Sequence, residues 1–432
     1  MQNMSSMNIF HRIWDHRRKL WIVLAMAVLY FFSYFQRVAI PGTIFDELQM
    51  AFGASAASIT LLGALTIYVY ASTQLFIGIL VDRFGAARVL LAGAAVMTVG
   101  SILFPLSHSL AILYAMRILV GLGASLIFLS IVKEIDELFD ERHFAMVLSA
   151  AIFLGYFGGI AGTFPLERTV SAFGWRTPLL TAGLICGIAL LWAWRLLHKA
   201  QRIGGRDEGF SMAALLEILR NRAIIPISCA GMVTFGIYFL FQAVIGKKLL
   251  QDCAGFSSAS AASCTLMMVV INMTGVGCSG FLSRLAGNRR KPFLVAAAVI
   301  SFLSTGLITL ILWQGLNSRW LVPCYAMVAA AGAFTPIYCA AMKELNRPDA
   351  AGTAIGLLNG IVYLFIAIMM NLAGVVMDGF KSQAVITAKA VIYPPAAYIA
   401  ILTGCFILSA ISVAAALRLR ETFGKSIYGK SC

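Results

Sequence analysis

Arg37 is the residue whose position most needs an explanation. It ends a run of apolar and aromatic residues that begins at Leu20, and Pro41 follows it closely. At helical spacing Tyr30, Ser33, Tyr34 and Arg37 (i, i+3, i+4, i+7) fall on one face. A guanidinium inside an apolar layer is costly unless it faces a cavity or a partner. Its planar fork suits a carboxylate or phosphate, which it binds through two parallel hydrogen bonds. The phenols on the same face add donors, so the stripe reads as an anion-binding wall. The competing reading is an arginine that snorkels to the nearer interface.

Arg117 is the second charge inside an apolar run. Its plainer role is structural, bonding carbonyls of neighbouring helices; the functional alternative is a second positive charge beside a pathway. Tyr238 and Gln242 share a helix face at i, i+4, as do Asn359 and Tyr363; Tyr68, Tyr70 and Gln74 cluster elsewhere, and Asn272 lies alone in its run. Such residues serve as interhelical glue or as ligand contacts. Glycines 155, 158, 159 and 162, and glycines 352, 356 and 360, form small faces for close packing. No Asp or Glu falls at the centre of an apolar run, since Glu167, Glu344 and Asp378 lie near ends. A proton relay through a deeply buried carboxylate is therefore unsupported.

Enzyme signatures are missing from the sequence. There is no P-loop, no HExxH, and the five histidines sit at the edges of apolar runs. The nine cysteines are scattered without a CxxC, so neither a metal nor a cofactor is expected.

The elements that hold these residues follow from composition. The chain has 432 residues, 60% hydrophobic and 12% charged. That balance excludes an ordinary soluble domain and indicates a polytopic membrane protein. The net charge of +15 sits in short clusters between apolar runs, which is a topology pattern rather than a nucleic-acid groove. Runs long enough to cross a bilayer predict twelve helices, at about 20–41, 58–81, 89–107, 110–132, 144–166, 177–197, 223–245, 259–283, 293–313, 319–342, 352–377 and 396–419. The first of them, behind Arg17, Arg18 and Lys19, is an uncleaved span rather than a signal peptide. The fold class is thus all-α integral membrane, with a six-helix half over 1–197, a cytoplasmic linker over 198–222 and a second six-helix half over 223–432. With both termini in the cytoplasm, 24 of the 33 Lys and Arg residues lie inside and 7, Lys247 and Lys248 among them, lie outside. This bias fixes the expected orientation.

One short island of charge links the second and third runs: Gly78-Ile-Leu-Val-Asp82-Arg83-Phe-Gly85-Ala-Ala-Arg88. Gly85 suits a tight turn at positive φ, Gly78 suits close helix approach, and Asp82 needs a cation or a helix N-terminus as partner. Arg83 and Arg88 are the nearest candidates. The island resembles the loop 2–3 signature of the major facilitator superfamily, with Ala87 where that family usually has a basic residue. The stretch Gly280–Arg290 repeats the pattern 202 positions later, with Arg284 in place of the acid. Arg117-Ile-Leu-Val-Gly121-Leu-Gly123-Ala-Ser125 is similar to the family's span-four motif, and Phe173-Gly174-Trp175-Arg176 to its loop before span six. Tyr34 and Arg37 resemble span one of the organic-anion and organophosphate branches, where the Arg binds the substrate's carboxylate or phosphate. Gln36 and Ala124 depart from acids that some of those relatives carry.

The resemblance implies a secondary active transporter for a small organic solute, expected to be an anionic carboxylate or phosphate ester. It would work by alternating access, with H+, Na+ or a counter-substrate as coupling partner. The candidate binding residues are Arg37, Tyr34, Tyr30, Arg117, Tyr238, Gln242 and Asn359. The implied gating residues are Gly78, Asp82, Arg83, Gly85 and Arg88. The expected setting is a monomer in a bacterial inner (plasma) membrane, binding no nucleic acid. An amino-acid or drug efflux carrier is the alternative in the same class, and a transporter-like sensor the alternative outside it.

Overall fold

A computed structural model describes residues 2–74, 76–198, 212–347 and 350–426. The chain begins with α1 (Gln2–Ala39), α2 (Phe45–Phe52), α3 (Ala56–Thr73), α4 (Ile77–Phe84), α5 (Ala86–Leu106) and α6 (Leu110–Leu138). It continues through α7 (Glu141–Ala161), α8 (Phe164–Phe173), α9 (Arg176–Leu197), α10 (Met212–Arg220) and α11 (Ile224–Leu240). A π-helical turn (Phe241–Ile245) leads into α12 (Gly246–Ala254). Then come α13 (Ser258–Leu285), α14 (Lys291–Gln314), α15 (Leu321–Gly332), α16 (Thr335–Glu344), α17 (Ala351–Gly379) and α18 (Pro395–Leu417). The only strands among the described residues, β1 (Val385–Ile386) and β2 (Val391–Ile392), form an antiparallel hairpin between α17 and α18.

Among the described residues, twelve stretches are long and apolar enough to cross a membrane, as the sequence predicts. Three of them join two or more helices: α7 with α8, α11 with the π turn and α12, and α15 with α16. Because spans alternate in direction, the bundle has two ends. The end holding residues 40–55, 173–175, 254–257 and 380–394 is called distal; the end holding 74–85, 286–290 and the described C-terminus is called terminal. Two helix starts are capped by their own serines: Ser55 accepts from the Ser58 N–H, and Ser257 from that of Ser260. Gly53 and Gly255 close α2 and α12 in the left-handed conformation.

Three sequence expectations change. The second apolar run is not one helix to residue 81: α3 stops at Thr73, and Ile77–Phe84 form the separate short α4. The stretch holding Lys247 and Lys248 is not an outside loop. The π turn carries the helix onward, and both lysines are buried, at 5% and 1% exposure. Of the 198–222 stretch, residues 199–211 lie outside the described residues, and 212–220 form α10.

The spans pack mainly in sequence neighbourhoods, α5 on α6 and α9, α1 on α7, and α14 on α15 and α18. Across the middle of the molecule α3 lies along α17, and α7 and α8 lie along α13. The distal ends of these crossing helices are tied. Asp378 on α17 accepts from the N–H groups of Ala56 (2.8 Å) and Ala57 (3.1 Å). Lys247 donates to Glu167 of α8 and also lies against the Thr43 carbonyl. Lys248 reaches Asp46 of α2 at 2.8 Å, and Gln49 donates to the Tyr393 hydroxyl at 2.9 Å. At the terminal end, Asp82–Lys133 (3.0 Å) ties α4 to α6, and Arg290–Glu344 (2.8 Å) ties the turn before α14 to α16.

Candidate substrate-binding site

The Arg37 side chain, in the last turn of α1, is buried, 3% exposed. Its Nε donates to the Ser33 carbonyl one turn back (3.2 Å), and its Nη1 donates to the Tyr363 hydroxyl of α17 (3.4 Å). The Nη2 group has no hydrogen-bond partner. Three phenol rings surround the guanidinium carbon, Tyr34 at 4.9 Å, Tyr70 at 5.1 Å and Tyr30 at 6.0 Å to their centroids. Ring faces are electron-rich and stabilise a cation by about 0.5–2 kcal/mol each, more when desolvated. No ion pair found among the described residues includes Arg37. An interface-snorkelling arginine would show an exposed head group, and this one does not.

The rings continue outward from the arginine. Tyr34 meets Tyr156 of α7 edge-on at 4.9 Å, and Tyr70 meets Tyr363 at 4.7 Å. Phe235 of α11 contacts Tyr363 at 6.3 Å and Tyr238 at 5.7 Å. Tyr156, Phe235, Asn359 and Tyr363 line one cavity together with Tyr338 and Thr335. The glycine face of α7 explains how α1 brings its tyrosines here. A Cβ on Gly155 would meet the Tyr30 ring at 1.9 Å, and one on Gly159 would meet Tyr34 at 2.6 Å. These positions have room only for hydrogen, so the two helices approach until the rings seat in the gap.

The sequence-selected residues therefore divide. Tyr30, Tyr34, Arg37, Tyr238 and Asn359 gather at one aromatic box. Gln242, 2% exposed, sits one turn beyond Tyr238 in the π turn, and both of its amide atoms are without a partner. Arg117 is elsewhere occupied. Its Nε donates to the Leu62 carbonyl (3.0 Å), Nη1 to Gln36 Oε1 (3.3 Å), and Nη2 to the carbonyls of Gln36 (3.1 Å) and Ile40 (3.3 Å). It holds α6 against α1 and α3, with Thr66 returning a bond to its own carbonyl (3.0 Å). Tyr70 and Tyr363 belong to the box and were noticed in the sequence only as polar face residues. Tyr156, Phe235 and Tyr338 gave no sequence signal beyond being aromatic in apolar runs.

The charged island also shifts. Gly85 has φ 85°, which is the turn it was expected to make. Asp82 pairs with Lys133 of α6, not with Arg83 or Arg88, because α4 turns its acid toward α6; Arg83 lies over the ring of Phe84 instead. A Cβ on Gly78 would meet nothing within 4 Å, so that glycine makes no close helix approach in this state.

Comparisons with known proteins agree with this architecture. The family model described as Major Facilitator Superfamily matches residues 25–370. Multidrug resistance protein 2 of Bacillus subtilis is 28% identical over 269 residues, 60% of this chain and 64% of that protein. The chain thus spans less than two thirds of that relative's length. The gentisate transporter of Corynebacterium glutamicum is 22% identical over 416 residues, 92% of this chain and 88% of that one. Among solved structures, a D-xylose-proton symporter superposes with a TM-score of 0.74 at 14% identity, covering 94% of this chain and 99% of that one. At that identity the likeness speaks for the fold alone. Twelve spans folded in this way, under a family match that covers most of their length, make this chain a member of the Major Facilitator Superfamily of transporters.

Proposed function

We propose that the protein carries a small organic anion, a carboxylate or phosphate ester, with Arg37 as its anchor. The observation that carries the reading is the free Nη2 of a buried arginine that meets phenols instead of a carboxylate. A buried cation without a counter-charge is costly, and a bound anion with two oxygens offsets that cost where the fold does not. In this reading the phenols of Tyr34 and Tyr363 donate to the same anion. The relative named as a gentisate transporter points the same way. The cavity beside Tyr363 is lined by no Asp or Glu that could pair with the ammonium of a zwitterionic amino acid.

In this reading the halves 1–197 and 223–432 rock about the aromatic box. The distal ties close one face of the site, and the terminal end is the open, cytoplasmic face. The orientation rests on the excess of Lys and Arg in segments at the terminal end. Arg117 shapes the first half and does not touch the cargo. Asp82–Lys133 belongs to the cytoplasmic gate.

A thermal-shift screen of the purified protein tests the reading. Carboxylates, phosphate esters, amino acids and the methyl ester of every acid that scores are compared. Acids should raise the melting temperature and their neutral esters should not. Equal shifts from acid and ester would show that the site does not read charge.

A further inference from the structure

Gln242 is the least explained polar group in the bundle. It is almost fully buried, yet neither its Oε1 nor its Nε2 has a partner. A buried primary amide with both ends unmet is rare in folded proteins, where such groups are nearly always satisfied. The backbone around it is specialised as well. Residues Phe241–Ile245 form a π turn, a widened helical turn that recurs at functional sites. The turn is held from two sides. Gly42, just after α1, lies so close that a Cβ there would meet the Ala243 carbonyl carbon at 2.7 Å. On the other side Tyr325 donates to the Gly246 carbonyl (2.9 Å), and its ring meets Phe241 at 5.2 Å. Gly246 itself closes the turn on the Phe241 carbonyl, where a Cβ would fall at 2.1 Å. The wide turn is therefore built in, and Gln242 is carried on it.

Its place relative to Arg37 follows from the packing. The π turn contacts α1 and α3, the helices that carry Arg37 and Tyr70. One turn back, Tyr238 packs on Phe235, and Phe235 packs on Tyr363, the hydrogen-bond partner of Arg37. Ser33 Oγ, on the Arg37 face of α1, is also buried without a partner. The unmet groups are thus a cation's N–H, two hydroxyls (Ser33 Oγ and Tyr238 Oη), and an amide that offers one acceptor and two donors.

We propose that Gln242 reads a hydroxyl on the same anion that Arg37 anchors, so that the substrate class is a flat, ring-bearing hydroxy acid. The inference rests on the anion reading above. A hydroxyl is the small neutral group that gives and takes at once, and it satisfies Oε1 as donor and Nε2 as acceptor. The ring body follows from the walls: Tyr30, Tyr34, Tyr70, Tyr156 and Tyr363 offer faces and edges, not further charges. Sites built to bond a substrate hydroxyl discriminate strongly against the analogue that lacks it, because their own polar atoms are then left unmet.

Binding of benzoate, its three monohydroxy isomers, lactate and inorganic phosphate to the purified full chain tests this, using wild type, Gln242→Leu, Gln242→Met and Arg37→Lys. In wild type at least one hydroxybenzoate should bind about tenfold or more tighter than benzoate. In Gln242→Leu that ratio should fall to within about twofold of one, with a melting temperature no lower than wild type, since two unmet polar atoms are removed. Gln242→Met repeats the measurement should the branched side chain disturb the turn. An unchanged ratio in both variants overturns the role of Gln242. Binding of lactate or phosphate alone, lost in Arg37→Lys, overturns the ring-bearing class and leaves the anion site standing. Hydroxybenzoate binding that survives Arg37→Lys and is matched by the methyl ester overturns the anion site, and this inference with it.

Discussion

The carboxylate of Asp378 caps the N-terminus of α3, accepting from the Ala56 N–H at 2.8 Å. It also takes the Ala57 N–H at 3.1 Å, while Ser55 serves that of Ser58. Three of the four N–H groups that a helix start leaves open are thereby satisfied, two of them by a residue 322 and 321 positions away. A cap and an anion at a helix N-terminus each contribute roughly 1 kcal/mol. The contact exists only when α17 and α3 meet at the distal end, so under the proposed alternating access that energy belongs to the distally closed state.

Asp378→Ala is accordingly expected to favour distal opening by about 1–2 kcal/mol, roughly a fivefold to thirtyfold shift in population. Distance measurements between spin labels on the distal ends of α3 and α17 would report it. A distance distribution identical to wild type would remove Asp378 from the closure.

A second distal group responds to pH. Glu47 on α2 is largely buried, one of its oxygens has no partner, and burial pushes its carboxyl above the usual carboxylate range. Lys247 pulls it down again, Glu167 and Asp46 push it further up, and Lys247 is already engaged by Glu167. A carboxyl raised in the closed state binds its proton more tightly there than when opening exposes it. Closure therefore gains stability below the ordinary carboxylate range and loses it as pH rises through the raised value. Glu47→Gln should keep the distal end closed across that window and flatten the pH dependence of closure, read from the same spin labels. Equal pH dependence in variant and wild type would assign it to another group.

The two buried arginines should part company on mutation. Arg37→Lys retains charge but loses the fork, and a charge-assisted contact of this kind is worth about 1.5–3 kcal/mol, so anion affinity should drop about tenfold to a hundredfold. Its melting temperature should fall less than that of Arg117→Lys, because lysine keeps the charge that the three phenol rings face and gives up only two hydrogen bonds. Arg117→Lys abandons most of four acceptors on α1, the turn after it and α3. It is expected to cost about 2 kcal/mol or more in stability, with a smaller effect on affinity in whatever folds. Affinity and melting temperature measured on both variants decide this; the reverse pattern would exchange the two roles.

Composition and periodicity were enough for the twelve spans, since an apolar run of some twenty residues has few fates other than crossing a bilayer as a helix. They also made Arg37 conspicuous, because its cost is local and is visible in its neighbours along the chain. The tyrosines of α1 were legible for the same reason, being on its face. The partners were not. Tyr70, Tyr156, Phe235 and Tyr363 come from four different spans, and which faces meet depends on how glycines such as Gly155 and Gly159 let α7 seat against α1. Lys247 and Lys248 misled the reading because a charged pair looks like a loop until its counter-charges, Glu167, Asp46 and Asp252, are known. Asp82 had arginines beside it in sequence, yet α4 turned it to Lys133. The sequence by itself determined the membrane architecture and the one exceptional charge, through transfer energies that act residue by residue. Only the tertiary structure decided what surrounds that charge, because long-range pairing is a property of packed faces and not of spacing along the chain.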